Sequence, residues 1–187
     1  SKLSDYGITI PDATRDGYTM SGWQDLDGNN VSFDANTILG ENYFPEKILY
    51  VTWTARNYKL VLSANGGTYG DFDTNIWTVE ERDQNGNVVK VSKEVSYDSK
   101  LGELIEPTKK GWTFDSYTNS ITTDFVFKQL SDLSADAQYT ENNYVLTIIS
   151  RHHDIKIELR NKENVLISNH SLTAGSSITI DVMTTNN

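Results

Sequence analysis

Along most of the chain apolar and polar residues alternate with a period of two, the spacing of a strand with one covered face and one wet face. The runs WTVEERD (77–83) and NVVKVSKEV (87–95) are rich in β-branched residues, and Asn85-Gly86 between them supplies the positive φ angles of a tight hairpin turn. MSGWQDL (20–26) and NVSF (30–33) flank Asp27-Gly28 in the same way, and IKIELR (155–160) and VLISN (165–169) flank a turn at Asn161 to Asn164. Three hairpins are therefore expected. A helical period is nearly absent. Its best candidate is 124–137, where Phe127, Leu130 and Leu133 would line one narrow face, so a turn or two of helix is expected there. The pattern predicts a mainly β (α+β) fold of antiparallel hairpins with little helix.

The pattern also repeats. GYTMSGW (17–23) and GWTFDSY (111–117) share a glycine, an aromatic, a Thr, a large apolar residue and a second aromatic at one spacing. SKL at 1–3 aligns with SKL at 99–101, Pro11 with Pro107, and YVTWT (50–54) with DAQYT (136–140). A second alignment places YKLVL (58–62) on YVLTI (144–148), residues 79–91 on 157–167, and residues 94–104 on 170–180. Tyr58 to Tyr144 and Trp53 to Tyr139 both span 86 positions, which sets one unit at roughly 85 residues. The expected organisation is the C-terminal part of a first module at 1–55, a complete second module at 56–140, and a diverged N-terminal part of a third at 141–187.

YKLVLSANGG, VSYDSKLGELIEPTKKGWTF and the closing ADAQYT resemble the internalin-type B repeat, or Listeria–Bacteroides repeat. That pattern opens with a strand ending in Asn-Gly-Gly, continues through Y-G-x-K-L and P-T-K-x-G-Y-x-F-x-G-W, and closes on a strand ending A-x-W. The resemblance implies small β-grasp-like modules in tandem on secreted or cell-wall-attached bacterial surface proteins, acting as spacers, stalks or adhesion modules. Ser116 and Tyr117 stand where the family has Gly and Trp, TYGDFDTNIW (68–77) is an insertion, and SRHHD (150–154) replaces Asn-Gly-Gly. Two aromatics recurring at one spacing are what a small module needs to fill its core, because each supplies about 150–250 Å² of surface to bury. Tyr18, Trp23, Trp53, Trp112, Phe114 and Tyr117 are accordingly read as structural.

Charge narrows the partners. Sixteen Lys and Arg against 26 Asp and Glu give a net charge of −10, which disfavours nucleic acid and anionic membranes. There is no cysteine for a disulfide or a thiolate metal site, and no apolar run approaches the roughly 20 residues of a membrane span. The resemblance implies a place on the bacterial cell surface or outside the cell, with a host or cell-surface protein or glycan as the partner class, and the chain is expected to be a monomer.

Candidate chemistry is sparse. Asp25, Asp27 and Asn29 alternate as a calcium loop begins, but Gly28 comes early and Asn36 stands where a bidentate Glu is wanted, so a hairpin turn is the better reading. His152, His153 and Asp154 are adjacent, and neighbours on a strand face opposite sides. Glu80 and Glu81 on a hairpin strand are read as a solvated edge. No nucleophile elbow or phosphate-cradling loop is present, so no catalytic residue, cofactor or metal is assigned. A Lys–Asn isopeptide crosslink would need a buried Lys, Asn and acid together. The one candidate ligand surface is the insertion, where Tyr69, Phe72 and Trp77 stand among Asp71, Asp73 and Asn75 and would suit a neutral sugar or a peptide strand. Its alternative is that Trp77 folds down over the hairpin as a local core plug.

Overall fold

The computed structural model describes residues 1–40 and 46–183. Strands β1 (Tyr18–Gln24), β2 (Asn30–Val31) and β3 (Tyr50–Ala55) form an antiparallel sheet in the order β2-β1-β3. Strands β4 (Asn57–Ser63), β5 (Thr78–Arg82), β6 (Val88–Ser96), β7 (Trp112–Tyr117) and β8 (Leu133–Glu141) form a second sheet in the order β5-β6-β4-β8-β7. Within it β4 runs antiparallel to β6 and parallel to β8, so the first and last strands of the module lie side by side at its centre. That is the β-grasp arrangement. The remaining strands are β9 (Asn143–Ile149), β10 (Ile155–Arg160), β11 (Leu166–Leu172) and β12 (Ser177–Met183), paired antiparallel as β9 with β12 and β10 with β11. The chain divides into two compact units, one of Ser1–Thr108 with Ser116–Gln138, the other of Lys109–Asp115 with the chain from Tyr139 onward.

All three expected hairpins form. Their turns share a device that differs from a two-residue turn. Asp25 Oδ1 accepts the backbone N–H of Asp27 and Asn29, Asp83 Oδ1 those of Asn85 and Asn87, and Asn161 Oδ1 those of Glu163 and Val165. A single left-handed residue follows in each loop, Gly28, Gly86 or Asn164, with φ of 80°, 83° and 64°. Asn85 itself needs no positive φ. This is a three-residue hairpin loop built on a type I turn, for which a side-chain acceptor at the first position and Gly or Asn at the last are the favoured residues.

The helix expected within 124–137 does not form. Leu133–Glu141 is strand β8, because Leu133, Ala135, Ala137 and Tyr139 alternate inward against outward polar residues, and period two wins over the i, i+3, i+6 spacing that mimics a helix. Phe127 is fully buried while Leu130 is more than half exposed, so the two do not share a face. In place of a helix, the irregular connections from β6 to β7 and from β7 to β8 supply Leu101, Ile121 and Phe127 to the core. The core is built from Leu60, Leu62, Val91, Val95, Leu101, Ile121 and Phe127.

Residues 141–183 pair differently from the copy with which they align. β9 corresponds to β4, yet it pairs with β12, whose first residues align with the irregular crossover at 101–104. Ile178 and Ile180 alternate there, whereas the crossover carries Gly102 at φ 69° and Pro107, neither of which extends a strand.

Candidate functional site

The insertion folds about Asp73. Its Oδ1 accepts the backbone and side-chain N–H of Asn75, at 2.8 and 2.9 Å, and its carbonyl accepts the N–H of Ile76 and Trp77. This turn sends Trp77 inward, where 3% of it remains exposed. Tyr69 is buried as well, its N–H bonded to the Val88 carbonyl at 2.8 Å. Tyr117 donates its hydroxyl to the Ile105 carbonyl at 2.7 Å, so in the 3.0 Å contact between the two phenols Tyr69 is the donor. Phe72 is half-buried. Tyr69, Phe72 and Trp77 therefore do not form an exposed stacking platform; two of the three are core, with Trp77 as a plug. The repeat aromatics are shallower: Tyr117 is buried, but Tyr18, Trp23, Trp53, Trp112 and Phe114 stay half-exposed.

Lys93 is the residue the sequence reading passed over. It is 8% exposed, with Nζ 4.9 Å from the Trp77 ring centroid and 2.6 Å from both the Leu101 and Glu103 carbonyl oxygens. Burial pushes its ammonium below the usual lysine range, with Glu103 opposing the shift. The signal was present, since Val91, Lys93 and Val95 sit at period two and the two valines face the core. Both hydrogen-bond partners are main-chain carbonyls rather than the carboxamide an isopeptide needs. The side chain acts as a strap that ties the crossover to the sheet.

The other candidates are placed as follows. Asp25 Oδ2 accepts from the Asn29 carboxamide at 3.3 Å in addition to the two backbone bonds, and the backbone bond from Asn29 leads the effects that hold its pKa below the usual range. These oxygens are engaged in closing a turn. His152 and His153 are exposed, and Asp154 accepts the Ala174 N–H at 3.0 Å. Among the described residues no group of three His, Cys, Asp or Glu is disposed to hold a metal. Glu80 accepts from the buried Ser92 hydroxyl at 2.6 Å and from Lys59 at 3.1 Å, and the Ser92 bond is the leading cause of its lowered pKa. Glu81 pairs with Lys90 at 2.7 Å on the surface. A bulge between Val79 and Glu81 separates the two carboxylates.

The joint between the first two aligned copies is more specific. Arg56 N–H bonds the Gly17 carbonyl at 2.8 Å, and Tyr97 N–H bonds the Arg56 carbonyl at 2.9 Å. The Tyr97 ring lies on Gly17, where a Cβ would fall 2.2 Å from the ring and φ is 76°. Tyr18 meets Tyr97 edge-on at 5.4 Å and donates its hydroxyl to Asp98 at 3.2 Å. One of these bonds recurs a repeat later, from Asn142 N–H to the Gly111 carbonyl at 2.9 Å, but Thr173 stands where Tyr97 would align.

Antiparallel hairpins closed by one turn device and a central parallel pair of strands define a mainly β protein built of small sheets. Residues 78–137, within the central module, match the model of the Listeria-Bacteroides repeat domain, a repeat family found in bacterial surface proteins. No curated protein and no solved structure matches the chain. Among the described residues no helix is long and apolar enough to cross a membrane.

Proposed function

We propose that this chain is a non-enzymatic, monomeric repeat region of a secreted or cell-wall-attached bacterial surface protein and serves as a spacer or stalk. The observation that carries the reading is the joint at Gly17, Tyr18, Tyr97 and Asp98, in which successive copies are fixed by main-chain bonds and aromatic contact rather than by a free linker. A chain so joined holds what it carries at a set distance. The polar clusters add support, because the carboxylates of Asp25, Asp83 and Asp73 close turns. An adhesion role through Tyr69, Phe72 and Trp77 is less favoured, since Tyr69 and Trp77 face inward. The test is to display an epitope on a cell wall through this chain with added tandem copies of residues 56–140. Antibody access that rises with copy number is the spacer result. Unchanged access, with new retention on host protein or glycan, makes the region an adhesin.

A further inference from the structure

A cleft that the spacer role does not use lies where the 12–17 loop meets β1 and the start of β4. It encloses about 450 Å³ and is lined by Asp12, Arg15, Asp16, Met20, Arg56 and Leu130, among others. Two of the chain's five arginines face it. The Arg15 guanidinium lies 3.8 Å from the Tyr18 ring centroid, on a ring already fixed by the edge of Tyr97 and by Asp98. Arg56 is anchored through Nε to Thr19 Oγ1 at 3.2 Å. Among the described residues neither guanidinium is in an ion pair. Arg15 and Arg56 both line the cleft in a chain of net charge −10, and guanidiniums are the side chains best matched to a carboxylate.

We propose that this cleft binds a carboxylated saccharide, with the sugar carboxylate on Arg15 and Arg56. Asp12 and Asp16 decide the class. A bare inorganic anion or an acidic peptide side chain would meet these carboxylates with like charge and offer them no donor. A uronate ring places its one charge on the arginines and donates its hydroxyls to the two aspartates. Met20 and Leu130, the latter 55% exposed, supply an apolar floor for the ring's C–H face. The site goes beyond the spacer reading and adds a point of attachment at the joint between copies.

The experiment titrates the full 187-residue chain, by calorimetry and amide chemical shifts, with a uronic-acid tetrasaccharide, a neutral tetrasaccharide, an oligoglutamate peptide and inorganic sulfate. Saturable binding of the uronate alone is expected, with shifts centred on residues 12–20 and 56. Arg15→Gln and Arg56→Gln each weaken it about tenfold or more, while Arg82→Gln, outside the cleft, leaves it unchanged. If Arg56→Gln melts early because its link to Thr19 is lost, Arg15→Gln, held by ring contact, carries the test. The proposal is overturned if no saturable binding appears at millimolar uronate, if the neutral sugar, the peptide or sulfate binds as tightly, or if both arginine variants bind as the wild type does.

Discussion

Strands β4 and β9 carry closely similar sequences, YKLVL and YVLTI, in opposite surroundings. Leu60 and Leu62 of β4 are fully buried, whereas their counterparts in β9 are not, Leu146 being about half exposed and Ile148 partly exposed. The strands themselves do not explain the difference. β4 has β6 on one edge, β8 on the other, and a crossover strapped over it by Lys93. β9 has β12 on one edge and no second strand bonded to it among the described residues. Burial, and with it about 25 cal/mol per Å² of apolar surface, belongs to the strand's neighbours rather than to its own apolar pattern.

The largest expected effect lies in the core of the central module. Trp77→Ala removes the plug and the ring facing Lys93, and should cost about 3–5 kcal/mol in denaturant unfolding, against about 1–2 kcal/mol for the half-exposed Trp112. Equal losses at the two sites would show that depth of burial is not what separates them. Next, Leu60→Ala should destabilise by about 2–5 kcal/mol and Leu146→Ala by less than about 1 kcal/mol, measured by calorimetry on the intact chain. A large loss at Leu146 would break the contrast between β4 and β9 outright. Gly17→Ala comes third, at about 1–3 kcal/mol, from the clash with Tyr97 and the positive φ. Adding Tyr97→Ala should recover the part due to the clash, and a purely additive double mutant would place the cost in the backbone alone.

The smallest effect sets the hairpins against one another. Asp25 and Asp83 have lowered pKa values, caused first by the Asn29 backbone bond and the Asn87 side-chain bond respectively. Their contribution is present above the unfolded carboxylate value of about 3.9 and is lost as pH falls through the lower folded values. Asn161 makes the same turn without a titrating group. Amide protection at Asn29 and Asn87 should therefore fall in acid before that at Val165, and Asp83→Asn should remove the acid dependence at its own turn.

The hairpins were legible because their information is local: an Asp or Asn acceptor, then Gly or Asn three residues on, fixes the loop wherever it stands. The loop type was less so, since Asn85-Gly86 also suits a two-residue turn. Leu133 was misread because Phe127 and Leu130 precede it at helical spacing, and only β4 beside it makes the alternation of β8 decisive. Trp77 had no counterpart in the repeat from which to judge its depth. Lys93 shows the limit from the polar side, because its place on the core face follows from Val91 and Val95, while the carbonyls that receive it lie on a crossover with no periodic signal.

The parallel pairing of β4 and β8 has a mechanical consequence. Leu60 opposite Leu133, through Ser63 opposite Asp136, join the first and last strands of the module in one direction. A tether pulling on the start of β4 and the end of β8 draws the two strands past each other along their length. All the bonds between them are then loaded together in shear, where a hairpin pulled at its open end would give them up one at a time. Resistance to such a load is set by the unfolding rate under force rather than by equilibrium stability. The module is thus strongest along the line on which a surface-anchored chain would be stretched.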